Sequence, residues 1–419
     1  MTERRPRHLR GATHRPVLLG IALLSVLASG CAGAPPPPAE EVPHGYVEGA
    51  EETAEAQTRL IVADPGSGAV TVLDLLTEQT TPAGTVPGPR ALLGDGRFGY
   101  VTGADGSTRI IDSGAWKVDH GDHVHYYRTE IAEVGALPAP EPGAGPGAVP
   151  VTAESDGSTT VVSSDTGPST VLDRAALERG EITAGPPVPA GTGAGVPLAG
   201  HVLVATSSPG SPTPDRVAVR DRTGAEVATI TEPCPDLDGQ AVTRRGAVFG
   251  CADGALLVSE DDGVFSGTRI PYPEPFDDDQ RARAFASRPG SSTLAAPAGE
   301  QGAWSLDLGR RTWTRVATGP AVAVNTVGER GPLLALGRDG VLRAFDPADG
   351  RRQAQRPLLS AAAATGGDGQ VRIEIDTGRA YINDPSGSTV HEIDHGDGLR
   401  VARTLQVPGR AGFMIETGR

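Results

Sequence analysis

Aromatic residues are scarce, at 4% of the 419-residue chain, and cysteines number three. So few cysteines exclude a disulfide-dense miniprotein. Basic charge is in deficit, with 37 Lys and Arg against 52 Asp and Glu, a formal net charge of -15. That balance argues against a nucleic-acid partner, because phosphate binding needs a basic face. It suits an exported protein or one that attracts cations. No apolar run reaches the ~20 residues of a membrane-spanning helix, and helical periodicity is nearly absent, which excludes a membrane bundle and a coiled coil. Short helical candidates remain at Thr170–Gly180 and Gln280–Ala286. What the chain has in abundance is turn chemistry. Glycine (57) and proline (37) make 94 of 419 residues, just short of a low-complexity composition. With 38% hydrophobic residues, a sizeable core can still be buried.

The first thirty residues read as an export signal. Arg4, Arg5, Arg7, Arg10 and Arg15 precede an apolar run from Val17 to Leu27, and small residues then lead into Cys31. Leu27-Ala28-Ser29-Gly30-Cys31 resembles a bacterial lipobox, which implies cleavage before Cys31 and a diacylglycerol anchor on it. Residues 1–30 carry five arginines and one glutamate, so the mature chain has a net charge of about -19. Residues 31–58 read as a flexible tether. They open with Pro35 to Pro38, which favours polyproline II, and continue through Glu40, Glu41, Glu48, Glu51, Glu52 and Glu55. The remaining pair, Cys234 and Cys251, reads as one disulfide in an oxidising compartment, joining neighbouring strands.

The body, residues 59–419, repeats. A β-rich segment, a Gly/Asp/Ser turn and a second β-rich segment ending near Asp recur from Arg59, Tyr100, Val151, Pro197, Gly246, Ser292, Pro332 and Arg379. The spacing is ~46 residues, in the range of β-propeller blades. The expected fold is all-β, a single β-propeller of eight blades, with seven as the alternative. The segment AGFMIETG at the C-terminus supplies one more strand, which would complete the first blade and remove an open edge.

The histidines carry the chemistry. Beyond the signal they are His44, His120, His123, His125, His201, His391 and His395. Three fall in Val118-Asp119-His120-Gly121-Asp122-His123-Val124-His125-Tyr126-Tyr127. On a strand, His123 and His125 project to one face, ~7 Å apart at Cα. Gly121 permits a turn that folds His120 back towards them. Three imidazoles suit zinc, with a carboxylate or water as the fourth ligand. Asp119 and Asp122 could orient the rings or ligate, and Tyr126 adds a hydrogen-bonding hydroxyl. Asp238 in the turn Cys234–Gly239 could supply a carboxylate, and His391 in VHEIDHGDG could add a ligand across a central channel. Copper is the competing metal on intrinsic affinity.

VDHGDHVHYY, CPDLDG followed by FGCADG, and VHEIDHGDG together resemble the AztD family of extracytoplasmic zinc chaperones, from about residue 57 to the C-terminus. That resemblance implies a propeller that holds zinc and passes it to the solute-binding protein of an ABC-type zinc importer. The family's zinc site would map onto His120, His123 and His125, with Asp238 or His391 completing it. The implied protein is a monomeric envelope lipoprotein that touches the membrane only through its anchor, and is not an enzyme. Two alternatives stay open. One is a metal-dependent propeller hydrolase or lyase using a metal-activated water, although the chain has no Gly-x-Ser-x-Gly elbow. The other is a ligand- or protein-binding propeller lipoprotein. A quinone-cofactor propeller is disfavoured, because Trp116, Trp304 and Trp313 are the only tryptophans.

Overall fold

Short runs rich in Val, Ile, Leu and Thr, separated by Gly, Asp and Ser turns, become antiparallel strands almost throughout. The computed structural model describes residues 45–139, 150–164, 168–188, 195–273, 277–366 and 368–419. The signal, Cys31, the proline run and His44 lie outside the described residues.

The described residues form nine antiparallel sheets, of three or four strands each. Seven pair in chain order as meanders. The fifth is representative: Gln240–Thr243, Gly246–Cys251, Gly254–Asp261 and Val264–Pro271 pair in chain order. Its second strand is buried at every residue, whereas its outermost strand alternates and is largely exposed. Strands near one edge of each sheet are thus covered on both faces, so their sequences read as continuous apolar runs rather than alternation. The first sheet departs from chain order. Arg59–Ala63 pairs with Phe413–Thr417 on one side and Ala69–Asp74 on the other, so the C-terminal strand completes the N-terminal sheet.

The core lies between sheets. Leu60, Val62, Leu73 and Leu75 of the first sheet and its flank pack with Tyr381, Val390 and Leu405 of the last. Ile61, Val70 and Val72, on the opposite face, pack with Leu92, Val101 and Ile111 of the second. Each fully buried Leu or Ile contributes about 1.5–3 kcal/mol of hydrophobic transfer. Edge strands of neighbouring sheets also touch in succession: Ala91–Gly94 meets both Pro150–Ser155 and Phe413–Thr417, and Ile373–Ile375 meets both Ala321–Thr326 and Phe413–Thr417. The architecture is all-β and propeller-like.

Between Thr108–Asp112 and its partner Ala132–Leu137, the second sheet carries an inserted hairpin, Ala115–Asp119 with Val124–Arg128. Its neck closes at Gly114, whose carbonyl accepts the Thr129 N–H at 2.8 Å. Gly114 has φ +67°, and a Cβ there would lie 2.4 Å from the Thr129 carbonyl oxygen, so only glycine fits. The ninth sheet forms when Glu51–Thr53 adds to the outer edge of this hairpin. The tether expected through residue 58 therefore contains a strand. Glu51 and Glu52 meet Arg128 and His125 on the hairpin, and together with the backbone pairing they hold a segment whose composition alone reads as solvated.

Three smaller expectations also need correction. The helix near Thr170–Gly180 is only Arg174–Glu178, capped by the Asp173 carboxylate, because Thr170–Asp173 is a strand. At Gln280–Ala286 there is no α-helix, only a 3-10 turn over Asp278–Gln280. A helix at Ala361–Thr365, capped by Ser360, was not expected. Cys234 and Cys251 are disulfide-bonded, with Cα atoms 4.9 Å apart. The bond ties a strand end to the preceding loop rather than strand to strand, since Cys234 lies before Gln240–Thr243.

Candidate metal centre

The inserted hairpin turns through His120 to His123. The His120 N–H donates to the His123 carbonyl at 2.9 Å. The Gly121 N–H donates to Asp119 Oδ1 at 2.8 Å, so Asp119 shapes the turn. This brings back His120 over the strand that carries His125. Strand alternation places His123, His125 and Tyr127 on one face and Tyr126 on the other.

Beneath the histidines the hairpin is rigid. The Arg97 guanidinium pairs with buried Asp112, Nε donating to Oδ1 at 3.0 Å and Oδ2 at 3.2 Å and Nη2 to Oδ2 at 2.7 Å. It stacks 3.7 Å from the Trp116 ring centre, a cation–π contact. Trp116 stacks on Tyr127 at 5.2 Å, and Tyr127 on His125 at 6.1 Å. The Tyr127 hydroxyl donates to the Gly45 carbonyl at 2.8 Å. Burial, with the nearby Glu52 charge, raises its pKa and keeps the hydroxyl a donor.

The three imidazoles converge. Each offers a ligand nitrogen, and these atoms all lie within 4.8 Å of one another. His120 stacks nearly parallel on His123 at 4.9 Å and stands edge-on to His125 at 5.2 Å. The Nε2 atoms of His123 and His125 face each other at 3.0 Å. Both Nδ1 atoms rest on carboxylates: His123 on Asp122 Oδ1 at 2.8 Å and His125 on Glu52 Oε1 at 2.6 Å. The bond to His123 is the largest influence lowering the Asp122 pKa, which keeps that carboxylate charged.

This polarity has a consequence. A carboxylate accepts only, so each Nδ1 is the donor, and each neutral ring presents an Nε2 lone pair inward. Two lone pairs at 3.0 Å repel unless a proton or a cation lies between them. Zinc bound to two imidazoles at ~2.05 Å with tetrahedral angles would hold the nitrogens ~3.3 Å apart. The apposition is thus close to a chelating pair, with His120 positioned as a third donor.

Exposure is graded across the site. The His125 side chain is 11% exposed, His123 44% and Asp122 83%. His125 is held from above by the chain at Gly45, where a Cβ would lie 2.8 Å from the imidazole. Arg128 pairs with Glu51 at 2.7 Å, and the Thr129 hydroxyl donates to the Gly49 carbonyl at 3.0 Å. The segment 45–53 is thereby fastened along the hairpin.

The other sequence-derived candidates lie apart from this group. Asp238 Oδ2 accepts from Arg283 at 2.8 Å in the fifth sheet's entry turn. His391 lies within Thr389–Asp394, opposite Ile382 and Thr404, and burial lowers its pKa. Glu52 and Gly45 were not anticipated as site residues. The two tyrosines of the motif read as hydrogen-bonding groups, and Tyr127 lies beside His125, but nothing local in the sequence links Glu52 to His125 across 73 residues.

No helix among the described residues is long and apolar enough to cross a membrane. No family model matches the sequence, and no curated protein matches it either. Solved structures do match in fold. AztD from Citrobacter koseri superposes with a TM-score of 0.71 at 20% identity, over 87% of this chain and 98% of that chain. Its apo form gives 0.70 at 19% identity, over 86% and 98%. Dihydro-heme d1 dehydrogenase NirN, in complex with DHE, is more distant, at 0.52 and 15% identity over 87% of this chain and 76% of that one.

Proposed function

We propose that this chain is an extracytoplasmic zinc metallochaperone of the AztD type, built as a closed ring of eight blades. In this reading it captures zinc and delivers it to the solute-binding protein of an ABC zinc importer. The carrying observation is the pair of Nε2 atoms facing at 3.0 Å while each Nδ1 is bonded to a carboxylate. That carboxylate–histidine arrangement raises ligand basicity and fixes the ring tautomer. The fold match to AztD supports the same reading. Metal ligation falls to His120, His123 and His125. Asp122 and Glu52 orient the rings, and Asp238 and His391 take no part.

The graded exposure suits transfer. An incoming ligand from a partner reaches exposed His120 and His123 before the half-buried His125. Stepwise replacement then passes the ion over without releasing it to water. The site lies on an exposed hairpin turn, which favours exchange with another protein over enclosure of a substrate, so we read the chain as a carrier and not an enzyme. Zinc is preferred to copper because transfer by ligand exchange needs no redox chemistry. Cys31 would anchor the monomer to the envelope membrane through lipid.

The test is metal analysis of the purified mature protein, with zinc transfer to the importer's solute-binding protein as the second readout. About one tightly bound zinc per chain is expected. The double variant His123→Ala/His125→Ala should bind none. Unchanged stoichiometry in that variant would overturn the assignment.

A further inference from the structure

A cleft separate from the histidine hairpin lies where the third sheet's strand Thr170–Asp173 and the following segment to Val188 meet the fourth sheet. Val171, Pro186, Val188 and Val202 form much of its wall, and Arg220 and Arg222 line it as well. Its volume is about 160 Å³, close to that of an apolar cavity able to hold benzene.

The polar groups of this cleft are unevenly satisfied. Asp173 spends Oδ1 on the Ala176 N–H as a helix cap. Asp221 spends Oδ1 on the Thr223 and Ala225 N–H groups and the Thr223 hydroxyl. Among the described residues neither arginine forms an ion pair, and Arg220 Nε is buried without a hydrogen-bond partner. Arg222 reaches over Gly200, where a Cβ would lie 3.6 Å from a guanidinium nitrogen. Two guanidinium groups that line the cleft without a carboxylate partner among the described residues each offer a planar fork of N–H donors, which a carboxylate matches.

We propose that this cleft binds a small organic anion with an apolar body the size of one ring, an aromatic or branched-chain carboxylate. The carboxylate pairs with Arg220, with Arg222 as a second cation. The body packs against Val171, Val188 and Val202. Both halves of the ligand are needed, because the wall is mainly apolar and two arginines line it. The proposal is independent of the zinc reading.

Benzoate is the probe, titrated calorimetrically into mature protein carrying His123→Ala and His125→Ala, so that bound zinc cannot account for binding. One saturable site is expected, with benzyl alcohol binding about tenfold more weakly and inorganic phosphate not competing. Arg220→Gln should weaken benzoate by about tenfold and leave benzyl alcohol unchanged. Val188→Phe should abolish both, with circular dichroism confirming the fold. Equal binding of benzoate and benzyl alcohol, competition by phosphate, no binding of benzoate, or an indifferent Arg220→Gln variant would each overturn the proposal.

Discussion

Glu52 offers the sharpest test of the proposed metal centre, because it lies outside the histidine motif and touches it through one bond. Glu52→Gln keeps the size of the side chain and the strand pairing of Glu51–Thr53, which depends on backbone groups. It removes the charge that accepts the His125 Nδ1–H at 2.6 Å. A hydrogen bond to a charged acceptor contributes about 1.5–3 kcal/mol. His125 is largely buried, at 11% side-chain exposure, which protects that value, although Glu52 itself is 49% exposed and partly screened. The expected loss is therefore about 1.4 kcal/mol, or about tenfold in zinc affinity, at the lower end of the 10–100-fold cost of removing such a partner. Asp122→Asn is the internal comparison. Asp122 is 83% exposed, so its carboxylate should matter less, by only a few-fold. Glu51→Gln separates the anchorage of the strand from the charge at Glu52, since Glu51 pairs with Arg128. Zinc affinity of the three variants would be measured by competition with a chromogenic chelator at fixed pH and ionic strength. An Asp122→Asn loss equal to or larger than that of Glu52→Gln would refute the argument from burial. No loss in Glu52→Gln would remove the strand at residues 51–53 from the site altogether.

Exchange kinetics should separate the ligands: His120→Ala should retain zinc but release it faster to a competing chelator, whereas His125→Ala should lose tight binding, both read by stopped-flow metal transfer. The disulfide encloses a loop of 17 residues of separation. Replacing both cysteines by serine should cost about 3 kcal/mol of stability in denaturant titration and leave zinc stoichiometry unchanged. Burial raises the Glu154 carboxyl to about 7, above its unfolded value. A raised acid favours the folded state while protonated, so this contribution is present below about pH 4.5 and lost as pH rises to 7. Wild type should therefore lose stability between pH 5 and 8 relative to Glu154→Gln, by about 1–3 kcal/mol in thermal or denaturant unfolding. Parallel pH profiles for the two proteins would contradict this.

Strand-and-turn organisation is legible in the sequence because each tight turn needs Gly, Asp or Ser and each covered strand needs an apolar run. Phase is not. The repeat starting at Arg59 spans the second and third strands of its sheet when counted with Phe413–Thr417, whereas that at Val151 spans the first and second. Any two adjacent strands joined by a tight turn look alike, so part of the irregular spacing reflects which pair the pattern catches. The short helices are illegible for a related reason. Arg174–Glu178 follows directly on a strand and is set by the Asp173 cap, not by a helical period.

The site divides along the same line between local and distant information. His120, His123 and His125 lie within six residues, so a turn at Gly121 and strand alternation suffice to gather them, and both are sequence-local. Glu52 reaches His125 only because residues 51–53 add to the hairpin's free edge. That pairing is decided by backbone hydrogen bonds and the Glu51–Arg128 ion pair, neither of which leaves a periodic trace. An acidic stretch with no apolar partner of its own reads as a solvated tether. Here its charge is complementary to a surface it meets in space. The same reasoning explains why Asp238 and His391 resemble ligands in sequence. Each sits in a polar turn or strand with metal-compatible chemistry, but Asp238 accepts from Arg283, and His391, with Nδ1 buried and unpartnered among the described residues, belongs to the last sheet and not to the hairpin. Residue type selects what can ligate. Only the pairing of edges determines what meets, and at this centre the decisive edge lies 73 residues upstream of the histidine it orients.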